Sequence, residues 1–323
     1  MRLAVLDVGS NTAHLHVVDA HPGGPPQSVF RLKAPTLLAD SVDADGALSD
    51  EAVDRLVSAV IETVDASRRH AVTDLIPLAT ATIRDATNVE EIRDRVREVT
   101  GIELRSLSGE DEARVTFLAV RRWLGDSSGA PSASGAPGAP GAPGAPSAPG
   151  ASSAPLLLLD IGGATTEIAA GAGEQPGFAV SLPLGAARIT RTMLPCHPAR
   201  RRDVEAVHRH VLRSVRPYAS AVPAGALQVA TSKTFKQLAR VAGAEGRLTL
   251  RGLHDWIPRL TAMRPEERAA LPGVAASRSR QLLAGAVIAA ATMEALDIDH
   301  VDVCPWALRE GLLLRRITEL SHS

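Results

Sequence analysis

Two stretches of this sequence are built to do the same chemistry. LAVLDVGSNT at 3–12 and LLLLDIGGAT at 156–165 each place an apolar run before an Asp and close on a small-residue turn ending in Thr. An Asp at the end of a buried strand can bind a divalent cation or orient a water. The Gly after it lets backbone approach a ligand without a Cβ in the way. The small polar residues that follow offer N–H and hydroxyl donors to phosphate oxygens. One such turn is commonly a plain hairpin. Two, each after an apolar strand and before another extended segment, imply two similar domains facing each other with phosphate held between the turns. The familiar nucleotide loops do not compete, because the chain has no GxxxxGK[ST] and no GxGxxG after a strand.

The elements that must carry these turns read as alternating strands and helices. Residues 2–8, 13–19 and 27–34 form a meander of strands around the first turn. Ser49 caps a helix over 50–69, with Asp50 and Glu51 in its first turn. A short strand is expected at 74–80. Asn88 is expected to cap a helix at 89–100, with Glu91 completing a capping-box pattern and Gly101 ending the helix. Residues 102–108 read as a further strand, and Ser108 caps a helix over 109–124. After the second turn come TEIAAG and FAVSLPL as strands, a basic helix at 198–216, and ALQVATS running into a helix near Lys233. A long helix at 276–296, the strand HVDVCP and a last helix from Trp306 complete an α/β pattern. Between the halves, residues 127–155 are Gly/Ala/Pro/Ser-rich and contain nothing to build a core, so they read as a disordered linker or loop. The expected division is a first domain at 1–126, the linker at 127–155, and a second domain at 156–323.

Composition bounds the function. The chain has 323 residues, 45% hydrophobic and 22% charged, as in an ordinary soluble globular protein. Aromatics are only 2%, so Leu, Val, Ile and Ala must fill the core. A net charge of −1 argues against a bulk nucleic-acid binder. Cys196 and Cys304 form no CxxC pair, which argues against zinc or disulfide frameworks and fits a reducing cytoplasm. Arg2 leads straight into a strand-like run, with no signal peptide, and the longest apolar stretch, 282–296, is too short to span a bilayer. A cytoplasmic protein that partners neither membrane nor nucleic acid is expected.

DVGSNT together with DIGGATTE resembles the paired phosphate loops of the actin, Hsp70 and sugar kinase superfamily. More narrowly, the chain resembles the exopolyphosphatase / guanosine pentaphosphatase (Ppx/GppA) family. The matching stretches are LAVLDVGSNTAHLHVVD, ATATIRDATN, SLSGEDEARVTFLAVRRWL, LLLLDIGGATTEIAAG, SLPLGAARITR and CPWALREGLLLRRI. They cover both halves in the family's order. The resemblance is to the short, two-domain members, since no length remains for an extra C-terminal helical domain. It implies two ribonuclease H-like domains with an interdomain cleft. It also implies Mg²⁺ or another divalent cation as cofactor, and a substrate that is inorganic polyphosphate or the alarmone pppGpp. Members of the family often form homodimers, and no feature of this sequence demands one.

By the same resemblance, Asp7 and Asp160 hold the metal at the cleft floor. Gly9, Ser10, Asn11 and Thr12 form the first phosphate loop, and Gly162, Gly163, Ala164, Thr165 and Thr166 the second. Glu167 helps position metal or water, and Arg84 reaches toward phosphate as a charge-matched donor. The implied reaction is in-line attack of water on a terminal phosphoanhydride. The family carries its water-orienting carboxylate as the first Glu of S-G-x-E-E-A. Here Asp111 stands at that position, one methylene shorter, with Glu112 beside it as a substitute. Asp111 is also at the third position of a helix capped by Ser108, so the helix start alone could explain it. Ala164 is a second departure, adding a methyl where the family has Gly. His14 and His16 share a strand face and read as core histidines before metal ligands. Arg202, Arg209, Arg213 and Arg216 fall on one side of the basic helix, either as a solvated face or as a track for a polyanion. ATSKTF at 230–235 is either an anion-binding turn or an N-cap. Two rivals remain: a weakly or non-catalytic polyphosphate or alarmone sensor, and a kinase of the same superfamily.

Overall fold

The computed structural model describes residues 1–20, 26–38, 41–43, 45–126, 154–244 and 246–321. In chain order its first elements are β1 (Arg2–Val8), β2 (Thr12–Asp19), β3 (Gln27–Pro35), α1 (Asp50–Arg69), β4 (Asp74–Ala79), α2 (Ala81–Arg84), α3 (Val89–Thr100) and α4 (Gly109–Asp126). Then follow β5 (Leu156–Ile161), β6 (Thr166–Gly171), β7 (Phe178–Leu182), α5 (Ala186–Met193), α6 (Arg201–Val215), β8 (Leu227–Thr231) and α7 (Ser232–Val241). The last are β9 (Arg247–Thr249), α8 (Leu250–Ala262), α9 (Pro265–Ala269), α10 (Leu282–Ala295), β10 (His300–Val303) and α11 (Leu308–Ser321). The bulk of the linker expected at 127–155 lies outside the described residues.

Two compact units result: Met1–Asp111 with Leu308–Ser323, and Glu112–Ala307. The first holds a four-stranded sheet ordered β3-β2-β1-β4, with β1 to β3 antiparallel and β4 parallel to β1. The second holds a six-stranded sheet ordered β7-β6-β5-β8-β10-β9, with the same meander and then parallel β8 and β10. A three-strand meander whose first strand takes a parallel neighbour is the ribonuclease H-like order, and each unit has it. The units divide elsewhere than at the Gly/Ala/Pro/Ser-rich segment. Helix α4 buries Ala113, Phe117, Val120 and Leu124 against Leu156, Leu158 and Ala169 of the second sheet. Helix α11 packs on β1 of the first sheet. Two ion pairs pin it there: Arg309 to Asp7 and Arg316 to Asp74, both at 2.7 Å. The pins match in length. Seven helical residues rise ~10.5 Å, and Asp74 pairs with Leu3, four strand residues or ~13 Å from Asp7.

Local chemistry explains most boundaries. Ser49 accepts the Ala52 N–H, and Gly101 ends α3 in the left-handed region at φ 72°. Asn88 does not cap α3. Its side-chain amide instead pairs with both backbone groups of Leu48, so the expected capping box with Glu91 is absent. The strand expected at 102–108 reduces to one bridge, Leu78 to Arg105. Its neighbour β4 contains Pro77, which has no N–H to extend a ladder. Apart from Glu294 near its end, helix α10 is apolar around its circumference and almost wholly buried, as such a helix must be. Helices α5 and α8 had no counterpart in the sequence reading: α5 is short, and α8 contains Gly252 and Pro258.

Arg268 is the largest fully buried side chain. It donates to the carbonyls of Leu260 (3.0 Å), Met263 (2.9 Å) and Arg280 (3.5 Å), closing the C-terminal end of α8. Burial pulls its guanidinium down to about 10, so it remains charged at neutral pH. Arg268→Met should strand those carbonyls and cost roughly 3 kcal/mol, read from urea unfolding.

Candidate active site

In the first unit, Asp7 ends β1 and the turn 9–11 leads into β2. The Gly9 N–H donates to the Thr12 carbonyl at 3.0 Å, which tightens the turn. The carbonyls are then consumed. Gly9 O accepts the Thr36 hydroxyl (2.8 Å), Ser10 O accepts Leu38 N–H (2.7 Å), and Asn11 O accepts Thr36 N–H (3.0 Å). The N–H groups of Ser10 and Asn11 find no acceptor among the described residues. Buried donors without acceptors are costly, so such a loop is prepared for an anion. Ser10 and Asn11 are both buried, and the Asn11 amide donates to the Ser10 hydroxyl at 3.0 Å.

The second unit repeats the device between β5 and β6. Gly162 N–H donates to Thr165 O at 2.9 Å. The start of α5 takes up the carbonyls: Ala186 N–H bonds Gly162 O, Ala187 and Arg188 N–H bond Gly163 O, and Gly185 N–H bonds Ala164 O, all at 2.9–3.0 Å. Arg188 Nε adds a bond to Ala164 O at 3.1 Å. The N–H groups of Gly163, Ala164 and Thr165 have no acceptor among the described residues. Thr166 is spent structurally, its hydroxyl donating to Leu184 O at 2.9 Å. Gly185 must be glycine: a Cβ there would lie 2.2 Å from the Ala164 carbonyl carbon and 2.3 Å from Gly163 O.

The acids fall in different settings. Asp160 and Glu167 are direct partners across β5 and β6, and Glu167 accepts the Ser181 hydroxyl at 2.8 Å. Two carboxylates placed opposite each other on a ladder form an oxygen-rich pair. This oxygen pair fits Mg²⁺, which takes one or two carboxylates and completes its shell with water and phosphate. Among the described residues no group of three or more His, Cys, Asp or Glu could hold a metal. Asp7 gives one carboxylate oxygen to Arg309 at 2.7 Å. Arg84 reaches Asp85 (2.9 Å) and the Leu107 carbonyl (3.0 Å), which tethers it to the segment entering α4. Asp111 is exposed and trades hydrogen bonds with Ser108: Ser108 Oγ donates to Oδ2 at 2.7 Å, and Asp111 N–H donates back at 3.1 Å. Its next neighbour, Glu112, is buried.

His14 lies directly across from Asp7 on β2 and is buried, with no partner for Nε2 among the described residues. Burial chiefly, then Arg309, Lys33, His16 and Arg31, push it down to about 3, so it is neutral at ordinary pH. His16 is held near about 4, first by burial and then by Arg31, with Glu310 pulling the other way. The ATSKTF turn joins β8 to α7 beside Asp160, which pairs in register with Thr231. Ser232 holds φ 89°, a strained value for a residue with a Cβ, and its hydroxyl accepts Phe235 N–H at 3.4 Å. Three residues beside the loops and acids, Gly185, Arg188 and Arg309, were not singled out from sequence. Their signal was membership of SLPLGAARITR and CPWALREGLLLRRI.

Two ribonuclease H-like units, each ending its first strand in Asp and a donor-rich turn, define a phosphoryl-handling protein. The model of the Ppx/GppA phosphatase family matches residues 17–131 and 143–320, and the chain belongs to that family. It is 43% identical over 98% of its length to Exopolyphosphatase 1 of Mycobacterium bovis, of which 88% is covered. It is 42% identical over 98% of its length to Exopolyphosphatase 1 of Mycobacterium leprae, 90% covered. In fold it is similar to the Aquifex aeolicus Ppx/GppA protein, with TM-score 0.77, 23% identity, and 100% and 99% of the two chains covered. It is likewise similar to an exopolyphosphatase from Cytophaga hutchinsonii, with TM-score 0.80, 20% identity, and 99% and 98% covered. Among the described residues no helix is long and apolar enough to cross a membrane.

Two predictions follow from this geometry. Gly185→Ala should displace the second loop and lower kcat/KM for phosphate release at least about 100-fold, with a lower melting temperature. His14 and His16 have folded-state values below the ordinary 6.5, so their neutral forms favour the fold above that pH. That contribution is lost as pH falls from 6.5 toward 4 and 3, with a slope of up to about 2.7 kcal/mol per pH unit for two groups. Urea unfolding between pH 4 and 7 should show this loss, and His14→Gln with His16→Gln should flatten it.

Proposed function

We propose that this chain hydrolyses the terminal phosphoanhydride of inorganic polyphosphate, releasing phosphate, with Mg²⁺ or another divalent cation as cofactor. The observation that carries the reading is the repeated turn, closed by Gly9 N–H to Thr12 O and by Gly162 N–H to Thr165 O at 3.0 and 2.9 Å. In both, carbonyls are tied away and N–H groups are left for an anion. The relatives named Exopolyphosphatase 1 support polyphosphate as the substrate. The family resemblance keeps pppGpp, which ends in the same bond, as a second substrate.

The chain's own groups divide the work. In each unit the turn's N–H groups, those of Ser10 and Asn11 in the first and of Gly163, Ala164 and Thr165 in the second, are suited to take phosphoryl oxygens, where charge gathers in the transition state. Arg188 and Arg84 add positive charge. Asp160 and Glu167 of the second unit would hold the cation, which when bound draws charge from the phosphoryl oxygens, and Asp7 is their counterpart in the first unit. Asp111 orients the attacking water through Oδ1, because Ser108 holds Oδ2. That Ser108 bond also favours a second reading, a binding protein with little turnover, in which Asp111 serves the helix start alone.

Phosphate release with Mg²⁺ from long polyphosphate, tripolyphosphate and pppGpp decides between them. Metal-dependent release that falls about 100-fold in Asp111→Asn and is kept or raised in Asp111→Glu supports the hydrolase. Tight binding with no release from any of the three supports the binding protein.

A further inference from the structure

Helix α6 buries Val204, Val207, Val211 and Val215 along one face. At 100° per residue, Arg202, Arg209 and Arg213 lie on the opposite face within about 40° of one another. Arg216, just past the helix end, continues the row. All four are exposed. Arg209, Arg213 and Arg216 have no hydrogen bond or ion pair among the described residues, whereas Arg202 pairs with its neighbour Asp203 at 3.6 Å. Glu205 lies one helical turn before Arg209, at the edge of the row, and is engaged by Arg201 at 3.0 Å.

The helix macrodipole does not account for this pattern. It favours cations in the last turn, where Arg213 stands, but opposes Arg202 in the first turn and is indifferent to Arg209 in the middle. Elsewhere on the surface arginines are commonly neutralised, as in Arg93 with Glu90, Arg247 with Asp302 and Arg264 with Glu267. A chain of net charge −1 thus leaves three unneutralised guanidinium groups, Arg209, Arg213 and Arg216, over about 10 Å at the end of one helix. Arg209 also lines a concavity of about 370 Å³ between α6 and α8, whose mouth carries His208 and His254. Both imidazoles hydrogen-bond one carboxylate, Glu294, at 2.8 and 2.7 Å, and the acid on the concavity wall, Glu205, is paired with Arg201. Helix α6 belongs to the unit that carries the second phosphate loop and follows α5, which ties down that loop's carbonyls, after residues 194–200.

We infer that the α6 row is a docking track for the unreacted length of a linear polyphosphate chain. Guanidinium groups bind phosphates strongly, and a flexible polyanion can follow a row spaced by helical turns. The inference rests on the proposed substrate class and adds a chain-length preference to it. A substrate too short to leave the phosphate loops gains nothing from the track. A long one gains affinity, which appears in KM rather than kcat.

The test compares wild type with Arg209→Glu/Arg213→Glu, and with Arg69→Glu/Arg97→Glu as a control of equal net charge on exposed positions of the other unit. Phosphate release is measured from tripolyphosphate and from polyphosphate of about 100 units. Binding of end-labelled long polyphosphate is followed by fluorescence anisotropy at several salt concentrations. The track predicts that the α6 variant raises KM for the long substrate about tenfold or more, leaves tripolyphosphate unchanged, and shows a shallower salt dependence of binding. The control should behave as wild type. Equal effects on both substrates, no effect on either, or the same effect in the control would overturn the track. If no substrate is hydrolysed, the proposed function fails by itself. The anisotropy comparison still decides the track, since unchanged binding in the α6 variant rejects it and tenfold weaker binding supports it.

Discussion

Everything at the candidate site depends on how the two turns use their carbonyl groups. A peptide turn presents donors and acceptors in equal number, and a turn facing both ways would repel phosphate as well as attract it. Here the acceptors are removed from play by neighbouring backbone. In the first unit the segment 36–38 does it, and in the second the first turn of α5 does it. What remains is a surface of N–H groups held in place before any ligand arrives, which is what preorganised stabilisation of phosphoryl charge requires. The side chains of the turns are secondary. Thr166 is occupied by Leu184, and Ala164 contributes its amide as a glycine would.

The strands and most helices were legible because their signals are local. Alternation around His14 and His16, the Ser49 cap and the Gly101 stop each act within a few residues. The paired Asp-Gly turns were legible for the same reason. What the residues alone did not show acts over long separations. Arg309 reaches Asp7 across 302 positions, and nothing in either neighbourhood announces the pairing. An amphipathic pattern says that a helix buries one face, but not which sheet receives it. Hence α4 was grouped with the strands before it and α11 with the strands before it, and each belongs with the other set. Asn88 shows a milder form of the same limit, since a good capping residue was recruited by Leu48 from 40 positions away.

The acids show how environment separates residues of one type. Asp7 is balanced by a guanidinium, Asp160 faces a carboxylate, Asp111 is exposed and bonded to a hydroxyl, and Glu112 is buried. The first is already neutral, so its share in holding a metal would require Arg309 to share it.

The first unit is discontinuous, with its sheet at one end of the chain and α11 at the other, while Glu112–Ala307 is continuous. On a ribosome adding roughly 5 to 20 residues per second, Arg309 is made about 15 to 60 s after Asp7. For that interval α1 covers one face of the nascent β1, and the face that α11 will cover, with Asp7 at its end, waits in water or against a chaperone. The continuous unit has no such delay and can close as soon as its last strand leaves the exit tunnel. Synthesis therefore imposes an order of maturation: the unit whose sheet is made first is the one that receives its last helix last.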